Sequence, residues 1–513
     1  MVGDASPTMQ RRIPFKFFLI ALIGLGVVLR FVNLEQKFYW GDEVRTSMRV
    51  AGNTHLGTVA ELFNNRIIEV ESLRPYKFPT PEKGFGDTIA ALTTRPEHPP
   101  LYFVLARLWT QFWLPWWGDS VAIIRSLSVL FGLLLLPAVY WLCRELFADP
   151  SAGLIGVAVV AISPLHLLYA QEARQYGLWT LAVALSGAAL LRALRLNTRS
   201  SWSLYTATII LGLYSHLLFI FSIVGHGIYI GLTQRGKGLA YGRSLFVAAA
   251  AFMPWLIVIL NNLNHVGNMA AEVQKATDLA YLSDRWFRNI NQAVFNANLG
   301  SANLIVVLLT GYVLWFLYRT APKRTSLLIL TWVGVTALAL MLPDLILGGT
   351  RSTRVRYVIP CYLGIQMAAI YWIQAQPPWV KTRWQKLSRG LIILFLVLSA
   401  IASTIAAQSE LTWNKHYSKS KYYREAAQAI NQSERPLVIS DAFVNDILTT
   451  SYRLAPHVHL KLVTRPDADI PDGFSQIFLF SPSEALKQSY QAHYQLELAA
   501  EYKREHKLWR VKQ

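Results

Sequence analysis

The sequence predicts a mainly α-helical protein that crosses a membrane many times and carries a small α/β domain at its C-terminal end. Hydrophobic residues make up 53% of the 513 residues and charged residues only 15%, whereas soluble domains carry about 25% charged residues. Apolar stretches of about twenty residues, the length that crosses the hydrocarbon core, recur along the chain. Polar sequence is concentrated in residues 33–119 and 408–513.

About eleven stretches are candidate membrane spans. They lie near residues 14–32, 120–142, 152–169, 177–194, 202–217, 218–232, 244–261, 301–319, 325–343, 357–374 and 390–407. Residues 99–114 are also apolar, but they open with a Pro pair and place Arg107 and Gln111 on one helical face. We interpret this stretch as an interfacial helix on the outer surface.

The loop charges predict the orientation. Cytoplasmic loops of membrane proteins are enriched in Lys and Arg. With the N-terminus inside, every predicted inner loop carries at least one base. These bases are Arg144; Arg192, Arg195 and Arg199; Arg235, Lys237 and Arg243; Arg319, Lys323 and Arg324; and Lys381, Arg383, Lys386 and Arg389.

Two soluble regions are therefore expected on the outer side. Residues 33–119 form a long first external loop within a membrane domain over residues 1–407. Residues 408–513 mix strand-like runs, "PLVIS" and "QIFLF", with a helical stretch, "SEALKQSYQAHY". An odd number of spans places this α/β domain on the same side as the first loop.

The net charge of +19 raises the possibility of nucleic-acid binding. No zinc-finger spacing, RNP-type aromatic pattern or basic helix accompanies it, so we expect the bases to contact membrane lipids and no nucleic acid. The two cysteines, Cys143 and Cys361, are expected near opposite faces of the membrane, and no disulfide is implied.

Asp42 and Glu43 follow the first span in "FYWGDEVRTSMR". An isolated Asp-Glu pair is more often a solvated loop start or a helix cap. Here aromatic residues typical of the membrane interface precede the pair. Partial desolvation raises the pKa of a carboxylate and suits it to general-base chemistry, and adjacent acids can differ in role.

Four further groups of polar residues fall near the same predicted outer surface. Each also has a structural interpretation: a Pro-initiated helix, mutual neutralisation, lipid or domain contact, or a satisfied core histidine. The groups are Arg95, Glu97 and His98 in "TTRPEHPPLYF"; Tyr169, Glu172, Arg174 and Tyr176 in "SPLHLLYAQEARQYGLW"; Arg351, Arg354 and Arg356 in "GGTRSTRVRYVIP"; and Tyr214 and His216 in "YSHLL".

Together these groups suit an anionic lipid-linked substrate with a phosphate leaving group and a hydroxyl acceptor. A carboxylate could deprotonate the nucleophile, and guanidinium groups bind phosphate well.

The stretches "FYWGDE", "HPPLYF", "SPLHLLYAQEARQYGL" and "RYVIP" resemble the GT-C superfamily of membrane glycosyltransferases. The similar branch contains protein O-mannosyltransferases and aminoarabinose transferases of lipid A. The resemblance covers roughly residues 14–407.

The resemblance implies transfer of a sugar from a polyprenyl-phosphate donor on the outer face of a bacterial inner membrane, with inversion. It assigns the catalytic acid to Asp42 with Glu43 beside it, and it places His98 near the donor phosphate. No cofactor or metal is implied. Some relatives carry an Asp where this chain has Gln175 and Tyr176. The expected substrate-binding residues are Arg95, His98, Tyr169, Glu172, Arg174, Tyr176, His216, Arg351, Arg354, Arg356 and Tyr357.

Three alternatives remain open. A transporter or flippase of a lipid-linked or anionic substrate would place ionisable groups near the bilayer midplane, whereas here they fall at the outer mouth. A polysaccharide polymerase or ligase would carry its long external loop late in the chain. An inactive scaffold is disfavoured by the intact acidic pair.

Overall fold

The computed structural model describes residues 7–147, 149–263, 277–376, 382–465, 469–503 and 506–512; for residues 7–14 it describes the backbone. Lys381, one of the predicted inner-loop bases, lies outside these ranges. The α-helices are α1 (Pro7–Leu29), α2 (Gly41–Val50), α3 (His55–Leu62), α4 (Arg74–Lys77), α5 (Phe85–Thr93), α6 (Leu101–Trp117), α7 (Val121–Leu146), α8 (Ser151–Ala161), α9 (Pro164–Ala170), α10 (Tyr176–Leu196), α11 (Arg199–Ser215), α12 (Ile220–Thr233), α13 (Gly238–Leu260), α14 (Leu279–Phe295), α15 (Asn303–Thr320), α16 (Lys323–Ile346), α17 (Ile359–Gln374), α18 (Arg383–Gln408), α19 (Tyr417–Asn431), α20 (Val444–Ser451) and α21 (Glu484–Gln491).

Within the described ranges, six helical segments are long and apolar enough to cross a membrane. They are Val121–Leu146, Tyr176–Leu196, Arg235–Leu260, Gly300–Thr320, Lys323–Ile346 and Arg383–Lys415. A seventh span results if α8 and α9, which bend by 63° at their junction, are counted together. The chain is therefore a mainly helical, multi-pass membrane protein, as the composition predicts.

The remaining predicted spans coincide with shorter helices. Phe15–Leu29 and Leu217–Thr233 are apolar but short, and the stretches near 202–217 and 357–374 correspond to α11 and α17. The predicted total of eleven spans stays a prediction. The stretch interpreted as an interfacial helix is α6, which continues to Trp117.

Residue contacts divide the chain into two compact units. The helical unit comprises Met1–Val32, Arg95–Tyr102 and Arg125–Gln408, and the sheet unit comprises Asn33–Thr94, Phe103–Ile124 and Ser409–Gln513. The predicted domain ranges, 1–407 and 408–513, stay predictions.

The junction of α8 and α9 interrupts a helix at an apolar position, so its carbonyl groups need other partners. Arg30 Nη1 donates to the Ala161 carbonyl oxygen at 2.9 Å. The Ile162 carbonyl oxygen accepts hydrogen bonds from Ser399 and Ser403 at 3.1 and 2.7 Å. Side chains from α18 and from the residue after α1 thus donate hydrogen bonds to the carbonyl groups at this helix interruption.

The sheet unit contains a six-stranded mixed sheet. Its strands are β1 (Ile67–Glu69), β2 (Pro436–Ser440), β3 (His459–Leu462), β4 (Gln476–Phe480), β5 (Gln495–Tyr502) and β6 (His506–Lys512). They lie in the order β1-β3-β2-β4-β6-β5. The central strand β2 is parallel to β3 and β4, with Val438 opposite Leu460 and Phe478, and the outer pairs are antiparallel.

The apolar runs of the C-terminal sequence form the central strands of the sheet. All five residues of "PLVIS" in β2 are buried, as expected for a parallel strand that is covered on both faces. Leu437, Ile439, Ile477 and Leu479 form the core with Leu486 and Tyr490 of α21. The predicted C-terminal mixture of strands and helices is thereby confirmed.

Candidate active site

Asp42 and Glu43 lie in the first turn of α2, which begins at Gly41 after Trp40 in extended conformation. Negative side chains are favourable there because the helix dipole is positive at its N-terminus. Asp42 keeps 14% of its side-chain surface exposed, and Arg45 Nη1 lies 3.5 Å from its carboxylate. The Asp42 carboxylate is therefore mostly buried but keeps some exposed surface.

Glu43 has a different environment from its neighbour. Its Oε2 lies 2.6 Å from Lys415 Nζ, and both side chains are fully buried. The ion pair joins the start of α2 to the short 3₁₀ turn Trp413–Lys415 within the sheet unit. The two adjacent acids are thus separated into one partly exposed and one buried carboxylate.

Tyr176 is the centre of a second group, in the helical unit, where α10 begins. The guanidinium carbons of Arg174 and Arg356 lie 5.7 and 5.9 Å from the Tyr176 ring centroid. The Tyr169 and His216 rings lie 5.2 and 5.9 Å from it. We call these five residues the Tyr176 cluster. Residues from three stretches that the sequence singled out separately therefore meet in one place.

The chemistry of the Tyr176 cluster favours an anion. Two guanidinium groups within about 6 Å of one ring form cation–π contacts and concentrate positive charge. The Arg174 side chain is buried, where a charge acts more strongly than it does in water. Glu172, also buried, is two residues away, and its backbone carbonyl accepts from the Arg174 N–H at 2.7 Å.

His98 lies in the turn before α6, and it is joined to the start of α10. Gln175 Nε2 donates to His98 Nδ1 at 3.1 Å. The Glu97 carboxylate lies 3.9 Å from His98 Nε2, and Arg95 is half-buried in the same turn. Gln175, one of the two residues that stand where some relatives carry an Asp, thus contacts the histidine that the resemblance selects.

The three arginines of the loop between α16 and α17 differ in their contacts. Arg351 Nη1 lies 3.0 Å from the buried Asp344 carboxylate, which also accepts from the Ser352 N–H and hydroxyl at 2.7 Å. Arg354 and Arg356 lie over the Tyr357 ring at 6.0 and 5.6 Å. Arg351 is therefore a loop-anchoring residue by contact, whereas Arg356 belongs to the Tyr176 cluster.

Several residues that contact the candidate site residues were not predicted from the sequence. Trp179 stacks on His216 at 4.2 Å, and its position three residues after Tyr176 on the same helical face is a signal for it. Lys415 and Asp344 pair with Glu43 and Arg351, but nothing in their local sequence indicates these partners. Within the described ranges, no group of three or more His, Cys, Asp or Glu residues could hold a metal ion.

No family model matches the chain, and no curated protein is significantly similar in sequence. Solved structures are similar in fold. The apo structure of ArnT from Cupriavidus metallidurans matches with a TM-score of 0.57 and 13% identity, over 96% of this chain and 97% of that one. The structure of the same ArnT bound to undecaprenyl phosphate matches with a TM-score of 0.54 and 12% identity, over 96% and 98%.

At this identity the comparison establishes the fold. The match extends over nearly the whole of both chains, so it includes the sheet unit as well as the helices. The chain therefore has the fold of ArnT, an aminoarabinose transferase of the GT-C type, as its sequence motifs predict.

Proposed function

We propose that the protein is a membrane glycosyltransferase of the hexosyl- or pentosyltransferase type. It moves a sugar from a polyprenyl-phosphate donor to a hydroxyl acceptor on the extracytoplasmic face. The ArnT fold supports the general class, because a protein of that fold has been crystallised with undecaprenyl phosphate. The Tyr176 cluster is the observation that carries the proposal for this chain.

The donor phosphate is assigned to the Tyr176 cluster. Arg174 and Arg356 present planar guanidinium groups, which match phosphate oxygens in bidentate geometry. Two cations can also stabilise the second negative charge that develops on the phosphate as it leaves. His98, Arg95 and Arg354 are assigned to the same substrate, together with Tyr357, Tyr169, His216 and Glu172, and Arg351 supports their loop.

Asp42 is assigned as the general base, with Glu43 beside it. The Asp42 carboxylate takes the proton of the acceptor hydroxyl, and the hydroxyl oxygen forms a bond to the anomeric carbon. The bond between that carbon and the phosphate oxygen breaks, and its electron pair leaves with the polyprenyl phosphate. One displacement of this kind inverts the anomeric configuration.

The proposed topology has eleven spans in a bacterial inner membrane. The N-terminus is cytoplasmic, and residues 1–407 form the transferase domain with residues 33–119 as its first external loop. Residues 408–513 form an extracytoplasmic α/β domain. The distribution of loop bases supports this orientation.

The test uses the purified full-length protein in lipid nanodiscs with a panel of undecaprenyl-phosphate-linked sugars. We expect at least one donor to release undecaprenyl phosphate, and the transferred sugar to have the inverted configuration. Asp42→Asn should lower turnover by about 100- to 10,000-fold, the usual range for loss of a general base. Its unfolding temperature should fall only slightly, because loss of one charge at a helix N-terminus costs about 0.3–1 kcal/mol.

Asp472→Asn is the matched control, because Asp472 is an exposed carboxylate of the same unit. It should keep wild-type turnover. Failure of every donor to release undecaprenyl phosphate, together with movement of the donor across proteoliposome membranes, would favour a transporter. Wild-type turnover in Asp42→Asn would remove Asp42 from the mechanism.

A further inference from the structure

Several buried polar atoms of the sheet unit lack a partner with hydrogen-bond geometry within the described part of the chain. Arg45 Nε, the Tyr423 hydroxyl and Asn445 Oδ1 are three of them. Tyr423 and Asn445 are buried, and an unsatisfied buried polar group costs about 1–3 kcal/mol. Such groups call for an explanation, and a bound ligand is one.

The three residues lie in one region, because the charges of Asp446 and Arg45 both act on the Tyr423 hydroxyl. Lys419 Nζ lies 3.2 Å from the Asp446 carboxylate and 5.5 Å from the Tyr423 ring centroid. Asp446 follows Asn445 in α20, and α20 packs against both α2 and α19. Arg45, Tyr423, Asn445 and Asp446 are called the edge cluster below.

The edge cluster contains hydrogen-bond donors as well as acceptors. Burial and the nearby Asp446 carboxylate raise the pKa of Tyr423, so its hydroxyl keeps a hydrogen to donate. Arg45 Nε is a second donor, whereas the Asn445 and Asp446 oxygens accept. A ligand that satisfies both kinds of group must itself donate and accept at neighbouring positions, as sugar hydroxyls do.

The edge cluster also occupies a favoured position in the fold. From β2 the chain passes to β3 on one side and then to β4 on the other side. Such a switch point is where α/β sheets bind ligands, outside the carboxyl ends of the strands. The helix α20 begins there, and Phe443, the residue before it, is 78% exposed. An exposed aromatic ring is a surface on which a sugar's C–H face can stack.

We propose that the edge cluster binds a sugar residue of the acceptor. One of the sugar's hydroxyl groups is then presented to Asp42, whose carboxylate lies 3.5 Å from Arg45. This inference rests on the proposed function and specifies its acceptor class. A purely anionic ligand fits less well, because the two nearby cations, Arg45 and Lys419, are each already paired with a carboxylate.

The test measures direct binding of methyl glycosides to the full-length protein in nanodiscs by saturation-transfer NMR. The glycosides are those of glucose, mannose, galactose and glucosamine. We expect at least one glycoside to bind. Tyr423→Phe, which removes one hydroxyl, should raise its Kd about tenfold, the equivalent of one good hydrogen bond. Phe443→Ala should also raise it.

Tyr422→Phe is the matched control. Tyr422 precedes Tyr423 in α19 and is also buried, but its hydroxyl lies 2.9 Å from Ser481 Oγ within the protein. The control should lower the unfolding temperature and leave the glycoside Kd unchanged. Tyr423→Phe should instead raise the glycoside Kd and change the unfolding temperature little, because its hydroxyl makes no hydrogen bond of good geometry within the described part of the chain.

Three results would overturn the inference: no glycoside binds the wild type, both tyrosine variants change the Kd alike, or ordered water alone occupies the edge cluster in a structure with saturating glycoside. These results are independent of donor turnover. If glycoside binding depends on Tyr423 but no donor releases undecaprenyl phosphate, the proposed function is wrong and the sugar-binding site is retained.

Discussion

Lys415 Nζ lies 2.6 Å from Glu43 Oε2, and neither side chain has exposed surface. Removal of one member leaves a buried charge without its counter-charge, which costs about 3–5 kcal/mol. We expect Lys415→Met to lower the free energy of unfolding by this amount. Equilibrium unfolding of the purified protein in detergent, followed by tryptophan fluorescence, measures the change.

The double variant Glu43→Leu/Lys415→Met tests the cause, because it removes both charges. It should be less destabilised than Lys415→Met alone. Lys421→Met is the surface control: Lys421 and Glu425 pair at 3.6 Å with 51% and 41% of their side chains exposed, and such pairs contribute little. Equal losses in the single and double variants would contradict the buried-charge explanation.

The loop arginines should separate donor binding from stability. Arg356 lies over Tyr176, so Arg356→Gln should weaken binding of undecaprenyl phosphate about 10- to 100-fold, the usual effect of losing a charge-assisted hydrogen bond. Its unfolding temperature should change little. Arg351→Gln should do the reverse, because Arg351 neutralises the buried Asp344 carboxylate.

Isothermal titration with undecaprenyl phosphate and a thermal unfolding curve give both quantities for each variant. Similar affinity losses in Arg356→Gln and Arg351→Gln would mean that phosphate binding depends on the total charge of the loop and not on Arg356 in particular. An unchanged affinity in Arg356→Gln would reassign the Tyr176 cluster to a structural role.

Local sequence predicts the elements of this fold well. The runs "PLVIS" and "QIFLF" coincide with β2 and β4, because continuous apolar runs between turn residues suit buried parallel strands. The helical stretch near "SEALKQ" is α21, whose N-cap Ser483 accepts from the Leu486 N–H. Each predicted span also coincides with a helix, although the length of several helices leaves the span number untested.

Pairings between distant segments could not be predicted. The strand β1 pairs with β3 across almost 400 residues, with Ile68 opposite Leu460, and a three-residue run in a polar loop carries no strand signal of its own. The Glu43–Lys415 pair spans 372 residues. The hydrophobic periodicity and composition of a segment indicate which of its faces is buried, but they do not indicate which other segment covers that face. The sequence placed the residues around Tyr176 on the same predicted outer surface, but it did not predict that they contact one another.

Lys77 should make stability depend on pH in the alkaline range. Burial lowers its pKa from 10.5 to about 8, although Glu71 and Asp119 act in the opposite direction. Its Nζ donates to the Ser451 carbonyl oxygen at 3.1 Å and lies 4.8 Å from the Tyr452 ring centroid. Between pH 8 and 10.5 the unfolded chain holds this proton more often than the folded protein does, so stability rises with pH.

The comparison with Lys77→Met isolates that contribution from the titration of other groups. From pH 8 to pH 10 the wild type should gain about 2 kcal/mol relative to the variant. Unfolding temperatures of both proteins across this range measure the difference. A difference that is constant over the range would mean that Lys77 is solvated in the folded protein.

Gly26 should be essential for the packing of α1 on α8, because a side chain there has no room. A Cβ atom at Gly26 would overlap the Ala161 carbonyl oxygen, a backbone atom that cannot rotate away and that already accepts from Arg30. Overpacking of this kind costs about 1–3 kcal/mol. We expect Gly26→Ala to lower the unfolding temperature and the yield of folded protein.

Gly24→Ala is the control on the same helix, since a Cβ atom there meets nothing within 4 Å. Alanine is favoured over glycine inside a helix by about 1 kcal/mol, so this variant should be as stable as the wild type or slightly more stable. If both variants behave alike, α1 does not pack closely against the junction of α8 and α9. The carbonyl groups of that junction would then need partners other than Arg30.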